Sequence, residues 1–280
     1  MILLEVTKGD GMKKVLGIAA VVVFLVSCLN GLATSILYQY AAANKTPVPE
    51  ETPEPLKKID LQTERGNRVH GWYNQNAKFN APVVVYFHGN GENVQTVNQS
   101  GLLEKVRSLG AHAVAFDFPK YGLSTGEPSQ ETVIEGAQAV YDHLKAIFPQ
   151  SKIILWGRSL GCGPATIMAA NNPDTAKLIL TSPWNSFWKL VKIKGNLSDS
   201  SAKNAAKGNE YETEVHATKV HMPVLIHHGT KDSVIPWEMG REVSEAFASP
   251  DVSFVSIEGA DHNNLIGERE WAEIGQFIRY

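Results

Sequence analysis

The amino-acid sequence predicts an α/β domain built on a mostly parallel β-sheet that is covered by helices. Short β-prone runs alternate with helical patterns from about residue 57 to the C-terminus, which is the pattern of consecutive βα units. One run, residues 82–87, is apolar and rich in valine, as expected for a strand that is buried on both faces. Polar segments follow the strands, and active sites in such sheets lie beyond the carboxyl ends of the strands.

The predicted elements begin with a hairpin. Residues 57–63 and 68–74 are β-prone and flank residues 64–67, where Gly66 and Asn67 signal a tight turn. We expect further strands at 82–87, 113–116, 152–156, 178–180, 224–228 and 252–257, and helices at 94–109, 130–147, 164–170, 238–248 and 266–278.

Composition limits the class of protein. The chain has 280 residues, of which 43% are hydrophobic and 20% charged, as in one globular domain with additional segments. The net charge is −3 and there is no long basic run, so we expect no nucleic-acid binding. Cys28 and Cys162, the two cysteines, lie in very different contexts, which argues against a disulfide framework. We expect a monomer.

The N-terminal residues 1–40 have the pattern of a secretory signal. Lys13 and Lys14 precede an apolar run over residues 15–26, and a small residue follows it. The four residues Leu25-Val26-Ser27-Cys28 resemble a bacterial lipobox, in which the cysteine is lipidated and begins the mature protein. On this interpretation Cys28 carries the lipid and translation starts at Met12.

An uncleaved membrane helix is the main alternative, since the apolar stretch continues through Tyr38 and is long enough to span a bilayer. A third interpretation is that this stretch is a buried helix of a soluble protein. Both membrane interpretations keep Lys13 and Lys14 inside, so the rest of the chain is expected outside the cytoplasmic membrane, in a bacterial periplasm or cell envelope. Residues 41–56 contain four prolines and three glutamates, which predicts a semi-extended spacer that lifts a domain at 57–280 off the membrane.

Residues 157–161 are predicted to form a nucleophile elbow. A β-prone run ends at Gly157, Ser159 follows, and a helical pattern begins after Gly161, which is the strand–turn–helix context that such a Gly-x-Ser-x-Gly turn requires. Side chains at Gly157 and Gly161 would collide with the neighbouring strand and helix. The alternative is an ordinary glycine-rich turn.

A base and an acid follow Ser159 at two later strand ends. Asp232 lies four residues past the strand at 224–228, and His262 lies just past the strand at 252–257. A serine hydroxyl needs a base to remove its proton, histidine serves near neutral pH, and a carboxylate holds the imidazole in the required tautomer. We therefore predict Ser159 as nucleophile, His262 as base and Asp232 as orienting acid.

The loop after the strand at 82–87 reads His88-Gly89-Asn90-Gly91-Glu92-Asn93. Acyl transfer builds negative charge on the former carbonyl oxygen, and backbone N–H groups stabilise that charge. We predict that Asn90 and Leu160 supply these groups. The alternative is a plain glycine turn, and His88 is expected to be a structural hydrogen-bonding residue rather than a base.

Other residues compete for these roles. Asp261 adjoins His262 and is an alternative orienting acid, although consecutive loop side chains seldom face each other. Asp117 is expected to brace its loop through Ser124. Alternatives to His262 as the base are His216, His221, His227 and His228. The spacing of these groups does not suggest a zinc site, and no metal is predicted.

Together these motifs resemble the α/β-hydrolase superfamily over residues 57–280. The resemblance is carried by residues 88–93, 121–129, 157–161, 228–232 and 261–264, which look like the small membrane-associated branch that includes protein depalmitoylases and lysophospholipase-like enzymes. It implies an α/β-hydrolase fold with an eight-stranded, mostly parallel sheet and a serine hydrolase that needs no cofactor. The chain departs from many relatives at Pro119-Lys120, where they carry Arg-Gly, and at Cys162, where they carry glycine.

A short cap is expected after the sixth strand, at residues 184–221. We predict substrate contacts for Trp184, Phe187, Trp188 and, in the loop after Pro119, Tyr121; the alternative is that the three cap aromatics only pack the cap on the core. Lysines 189, 192 and 194 either meet anionic headgroups or form a solvated helix face.

The sequence thus predicts a membrane-tethered serine hydrolase that cleaves carboxylic esters or thioesters through an acyl-enzyme. Its substrate is a small-molecule or lipid acyl ester. The first alternative is a serine peptidase of the same fold, in which Glu210, Glu212 and Glu214 would receive a peptide terminus. The second is an anchored scaffold without catalysis.

Overall fold

A computed structural model describes residues 31–280 of the chain. Its central element is an eight-stranded sheet, β1 Lys57–Gln62, β2 Arg68–Asn74, β3 Val83–Phe87, β4 His112–Phe116, β5 Ile153–Arg158, β6 Lys177–Thr181, β7 Val224–Gly229 and β8 Val252–Ile257. The strands lie in the order β1-β2-β4-β3-β5-β6-β7-β8. β2 pairs antiparallel with β1 and β4, and all other pairs are parallel. The predicted fold class and the strand number are confirmed.

Helices cover both faces of the sheet. In the described part of the chain they are α1 Tyr40–Ala43, α2 Val94–Gln99, α3 Leu102–Ser108, α4 Gln130–Ile147, α5 Cys162–Asn171, α6 Phe187–Gly195, α7 Asp199–Ala205, α8 Thr213–Ala217, α9 Trp237–Ala246 and α10 Glu268–Arg279, with one further helical stretch over 31–37. The single helix predicted at 94–109 is two helices. Gly101 separates them with a left-handed φ of +77°, a conformation that glycine adopts without a steric penalty.

The central strands are buried on both sides, as their composition predicts. All five residues of β3 are buried. Val83, Val85 and Phe87 join the hydrophobic cluster on one face of the sheet, whereas Val84 and Tyr86 join the cluster on the other. This alternation follows from the two-residue period of a strand.

The region between β6 and β7 lies where the cap was expected. It carries the three helices α6, α7 and α8. Trp184, which precedes them, packs its ring against Phe187 and Tyr211, and all three aromatic side chains are at least 98% buried. These ring contacts lie within the region, and the Trp184 indole N–H joins it to the rest of the domain by donating to the Ser159 carbonyl at 2.9 Å.

The segment expected to be a spacer is instead packed on the domain. Asn93 donates from Nδ2 to the carbonyl oxygens of Ala43 at 3.0 Å and Thr46 at 2.8 Å, and Val48 is buried. Asn44 donates from its side-chain amide to the Lys120 carbonyl at 2.8 Å. The prolines prevent a long helix here, but an irregular segment can still be held by side chains that satisfy its backbone groups.

The residues before this segment are also attached to the domain. Tyr38 is 1% exposed, and its hydroxyl lies 2.7 Å from the Tyr211 hydroxyl and 3.0 Å from Asn209 Oδ1. Within residues 31–280, no helix has the length and apolar character needed to cross a bilayer. The apolar run at 15–26 and Cys28, predicted as the lipidation site, lie outside the described residues.

Candidate active site

Ser159 lies at the turn between β5 and α5. The turn is a single 3₁₀ turn, Ser159–Gly161, and Ser159 has a φ of +51°, which is a strained value for a residue with a side chain. A Cβ on Gly161 would lie 2.0 Å from the Phe87 carbonyl oxygen, and one on Gly157 would lie 2.5 Å from the Gly161 carbonyl oxygen. Both glycines are therefore required by close backbone approach, as the sequence predicted.

Ser159, His262 and Asp232 form a continuous hydrogen-bonded chain. Ser159 Oγ lies 3.0 Å from His262 Nε2, and His262 Nδ1 lies 2.8 Å from Asp232 Oδ2. The three residues come from the ends of β5, β8 and β7 in this sheet, so the fold brings together groups that are up to 103 residues apart. The geometry allows His262 to accept the Ser159 proton while Asp232 holds the opposite ring nitrogen.

The surroundings of Asp232 favour its ionised form. Its side chain is fully buried, and its Oδ1 accepts hydrogen bonds from the N–H groups of Val234 at 2.9 Å and Ile235 at 2.8 Å. His228 Nε2 lies 3.5 Å from Oδ2. Burial raises the pKa of the carboxyl, but the contacts with His228, His262 and the Ile235 amide outweigh burial and hold the pKa well below its usual range.

The loop after β3 brings Asn90 beside Ser159. Asn90 and Leu160 line the same cavity as Ser159. The Tyr121 hydroxyl donates to the Asn90 carbonyl at 3.0 Å, which directs that carbonyl toward Tyr121. Leu160 is the first residue after Ser159 in the turn, where helical backbone N–H groups have no intrahelical partner. These positions suit both residues to stabilise an oxyanion through their N–H groups.

The sequence motifs contained Arg158 and Glu92, but no role was predicted for either. Arg158 Nη1 lies 2.9 Å from Glu92 Oε1, and its Nη2 donates to Asn263 Oδ1 at 2.8 Å and to the His262 carbonyl at 3.5 Å. Glu92 Oε2 accepts from the Gly89 N–H at 2.6 Å. Arg158 therefore joins the turn of Ser159, the loop of Asn90 and the loop of His262.

A cavity of about 500 Å³ opens from Ser159. This volume lies within the usual range for ligand pockets, roughly 300–1,000 Å³. Its wall is mainly apolar and includes Leu32, Ala33, Ile36, Leu37, Gln39, Asn90, Leu160, Trp184, Phe187, Leu190, Val191, Lys194, Gly195, Leu197, Ala205, Val234 and Ile235. Trp184 also donates from its indole N–H to the Ser159 carbonyl at 2.9 Å.

Of the four residues predicted to contact substrate, the structure places two at this cavity. Trp184 and Phe187 belong to its wall. Tyr121 is fully buried and does not belong to the wall, and its hydroxyl is bonded to the Asn90 loop. Trp188 lies on another face of α6, where the ammonium group of Lys203 is 4.8 Å from its ring centre.

Part of the cavity wall was missed by sequence reasoning. Leu32, Ala33, Ile36 and Leu37 share one face of the helical stretch over 31–37 and line the cavity. Their spacing of one, three and one residues is a helical signal. It was hidden because this stretch continues the apolar N-terminal run, which was interpreted as a membrane anchor.

The competing residues have other partners. His88 is fully buried, with Nδ1 2.7 Å from the Gly89 carbonyl and its ring stacked on Phe118 at 4.1 Å. Burial lowers its pKa, so His88 has the structural surroundings that were expected. Asp261 accepts from the N–H groups of Ser233 and His262, both at 2.8 Å, and its carboxylate does not contact the His262 ring.

Two of the alternative bases also have other partners, and one of them is His228, whose Nε2 lies 3.1 Å from the Ile235 carbonyl. His227 Nε2 lies 3.0 Å from Glu273. The Ser124 hydroxyl donates to the Asp117 backbone carbonyl at 2.8 Å, so the bracing role proposed for Asp117 runs through its backbone. Among residues 31–280, His, Cys, Asp and Glu side chains form no group of three suited to a metal ion.

Known proteins share the fold of this chain. Residues 82–202 match the family model described as the alpha/beta hydrolase fold. Lysophosphatidylserine lipase ABHD12 of Rattus norvegicus is 29% identical over 198 residues, 65% of this chain and 49% of that protein. Protein ABHD12B of Homo sapiens is 27% identical over 188 residues, 62% of this chain and 52% of that protein. The chain thus spans about half the length of these curated relatives.

A plant relative and a solved structure match over more of the chain. Alpha/beta hydrolase domain-containing protein WAV2 of Arabidopsis thaliana is 28% identical over 243 residues, 79% of this chain and 77% of that protein. The Pyrococcus furiosus esterase Pf2001 superposes with a TM-score of 0.70 at 20% identity, over 83% of this chain and 94% of that chain. The chain therefore has the α/β-hydrolase fold, and residues 82–202 match the model that describes it.

Proposed function

We propose that this chain is a membrane-tethered serine hydrolase that cleaves a carboxylic ester or thioester bond of an acyl lipid. The observation that carries the proposal is the hydrogen-bonded chain of Ser159, His262 and Asp232 at the closed end of an apolar cavity. A nucleophile, a base and an orienting acid at these distances are the parts that acyl transfer requires.

The reaction starts when Ser159 Oγ attacks the substrate carbonyl carbon and its proton passes to His262 Nε2. Negative charge then develops on the carbonyl oxygen, which the N–H groups of Asn90 and Leu160 stabilise. Collapse of this intermediate breaks the ester or thioester bond, and His262 returns the proton to the leaving alcohol or thiol. Water, activated by His262, hydrolyses the acyl-Ser159 ester and releases the acid.

The cavity supports an acyl substrate. Apart from Lys194, the part of the wall that the structure describes carries no charged side chain, so it favours an uncharged hydrocarbon segment over a polar one. The relatives that are named lysophosphatidylserine lipase support an amphiphile with one acyl chain. A thioester remains within the proposal because the same acyl group and the same steps apply.

The peptidase alternative finds less support. A site for a peptide N-terminus needs an accessible carboxylate near Ser159, and no acidic side chain lines the cavity among the described residues. Glu214 is paired with Lys189 at 2.7 Å, and Glu210 accepts the Gly208 N–H at 3.0 Å. The scaffold alternative is disfavoured because the strained φ of Ser159 is costly to keep without a use.

The tether and its topology rest on residues 1–30, through Lys13, Lys14 and the apolar run that follows them. We propose that the domain lies outside the cytoplasmic membrane, held by lipid on Cys28 or by an uncleaved helix. The mass of the mature N-terminal peptide separates these two anchors. An unmodified peptide that extends upstream of Cys28 would rule out lipidation there.

A chain-length series tests the proposed function. p-Nitrophenyl esters of increasing acyl length and matching aminoacyl amides are offered to the full chain and to Ser159→Ala. We expect ester hydrolysis that rises with acyl length, little amide hydrolysis, and loss of activity in Ser159→Ala. Amide hydrolysis faster than ester hydrolysis would favour the peptidase, and equal ester rates in both proteins would refute the role of Ser159.

A further inference from the structure

The wall of the cavity changes from buried to exposed along its length. At the closed end Trp184, Phe187 and Leu160 are 1–3% exposed, and Ser159 is 7% exposed. Three other apolar residues of the same wall, which we call the mouth rim, are Leu32 at 59%, Ile36 at 55% and Val234 at 42% exposed. Large apolar side chains thus surround the opening through which a substrate reaches Ser159.

The mouth rim is assembled from two distant parts of the chain. Leu32 and Ile36 lie one helical turn apart in the stretch over 31–37, whereas Val234 follows the strand end that carries Asp232. The buried Tyr38 hydroxyl, bonded to Tyr211, holds the first part against the domain. Contiguous exposed apolar surface at a site opening, fixed by such contacts, marks an interaction surface.

We propose that the mouth rim is the surface on which the domain docks to a lipid bilayer, so that an acyl substrate passes from the lipid directly into the cavity. The purpose of this docking rests on the proposed function. The first described residue, Gly31, is adjacent to the rim, and the thirty residues before it include the apolar run at 15–26. Either proposed anchor, lipid on Cys28 or the apolar run itself, would therefore hold a bilayer next to the rim.

The charges around the opening agree with a lipid surface. Among residues 31–280, the cavity wall contains no Asp or Glu, and its single ionic residue is Lys194, whose ammonium group donates to the Ser233 carbonyl at 2.9 Å beside Val234. An acidic ring would be repelled by lipid phosphates, whereas one lysine next to apolar side chains is typical of interfacial anchoring.

Phe79 provides a matched control. It is 57% exposed, close to the value for Ile36, and its carbonyl accepts from His112 Nε2 at 3.1 Å. His112 begins β4, so Phe79 lies near the amino ends of the parallel strands, at the opposite edge of the sheet from Ser159. A label there reports general contact with lipid rather than docking of the rim.

The test places an environment-sensitive fluorophore on the full chain reconstituted in phosphatidylcholine vesicles. Ile36→Cys, Val234→Cys and Phe79→Cys are labelled, and the labelled parent chain, which contains Cys28 and Cys162, is the blank. Vesicles with a nitroxide on the lipid acyl chains are compared with plain vesicles. Docking of the rim predicts that labels at 36 and 234 lose roughly half or more of their emission to the nitroxide and that the label at 79 does not.

Val234 decides the outcome because it is more than two hundred residues away from the apolar run. Quenching at 234 no stronger than at 79 would overturn the proposal, and so would strong quenching at all three positions. A blue shift at 234 without quenching, growing with the protein-to-lipid ratio, would assign the surface to a second copy of this chain instead. The readout needs no turnover, so failure of docking and failure of the proposed hydrolysis are observed separately.

Discussion

Replacing Arg158 with methionine tests whether the loops around Ser159 are held together by one side chain. The substitution keeps the length and apolar stem of the residue and removes its charge. It deletes the ion pair with Glu92 at 2.9 Å and the hydrogen bond to Asn263 at 2.8 Å. Arg158 and Glu92 side chains are 22% and 27% exposed, so the pair is screened only in part.

The magnitude follows from that partial burial. A hydrogen bond to a charged group contributes about 1.5–3 kcal/mol, and removing one partner of a fully buried ion pair costs about 3–5 kcal/mol. For a pair that is about three-quarters buried we expect Arg158→Met to lower the free energy of unfolding by about 2–3 kcal/mol. Because the Asn90 and His262 loops lose the side chain that contacts both of them, we also expect kcat to fall about 10- to 100-fold with little change in KM.

Urea unfolding and p-nitrophenyl ester kinetics measure the two effects. Arg241→Met is the control, since its ion pair with Glu245 at 2.7 Å has side chains that are 48% and 60% exposed and should contribute less than about 1 kcal/mol. A double-mutant cycle with Glu92→Gln should give a coupling free energy of at least about 1 kcal/mol. If Arg158→Met lowers the free energy of unfolding and kcat no more than Arg241→Met does, Arg158 does not hold these loops together.

Three further predictions concern the elbow, the orienting acid and the cavity. Gly161→Ala places a Cβ 2.0 Å from the Phe87 carbonyl oxygen and should destabilise the chain by at least about 2 kcal/mol. The control is Gly91→Ala, where a Cβ meets nothing within 4 Å, and it should change the urea unfolding midpoint little. Equal midpoints in the two variants would contradict the geometry of the turn. Because the folded-state pKa of Asp232 is depressed, its charge stabilises the fold above its ordinary pKa of about 3.9 and this contribution is lost as pH falls further. The unfolding free energy of the parent should therefore decline more steeply below about pH 4 than that of Asp232→Asn, and parallel profiles would argue against a depressed pKa. Leu190→Trp places a larger side chain in the cavity and should slow the hydrolysis of long-chain esters more than that of short ones. Ile193→Trp, on the same helix but outside the wall, should not change this preference. An unchanged chain-length preference in Leu190→Trp would place the acyl chain elsewhere.

Sequence patterns were sufficient to predict those features of the fold that depend on residues close together in the chain. The valines of β3 predicted a strand buried on both faces. Gly157 and Gly161 predicted close backbone approaches, which the structure shows at the Gly161 and Phe87 carbonyl oxygens, respectively. The positions of Ser159, Asp232 and His262 after three strands of the sheet were also sufficient to expect them at one edge of the sheet, because the carboxyl ends of parallel strands share that edge.

Contacts between distant segments were not predictable in the same way. Residues 41–56 have the composition of a free spacer, yet Asn93 binds two of their carbonyl groups across about fifty residues. Tyr38 meets Tyr211 across 173 residues. Neither contact has a local pattern, since one amide or hydroxyl is sufficient to hold a segment that has no periodicity of its own. The cavity wall at 31–37 does have a helical spacing, but it continues the apolar run that was interpreted as a membrane anchor.

The central claim is that Ser159 is the nucleophile of a serine hydrolase. A fluorophosphonate probe forms a covalent bond with an activated serine, and mass spectrometry of the digested protein locates the adduct. We expect one adduct, on the peptide that contains Ser159, and no labelling of Ser159→Ala. A folded parent chain that remains unlabelled, or an adduct on another residue that persists in Ser159→Ala, would contradict it.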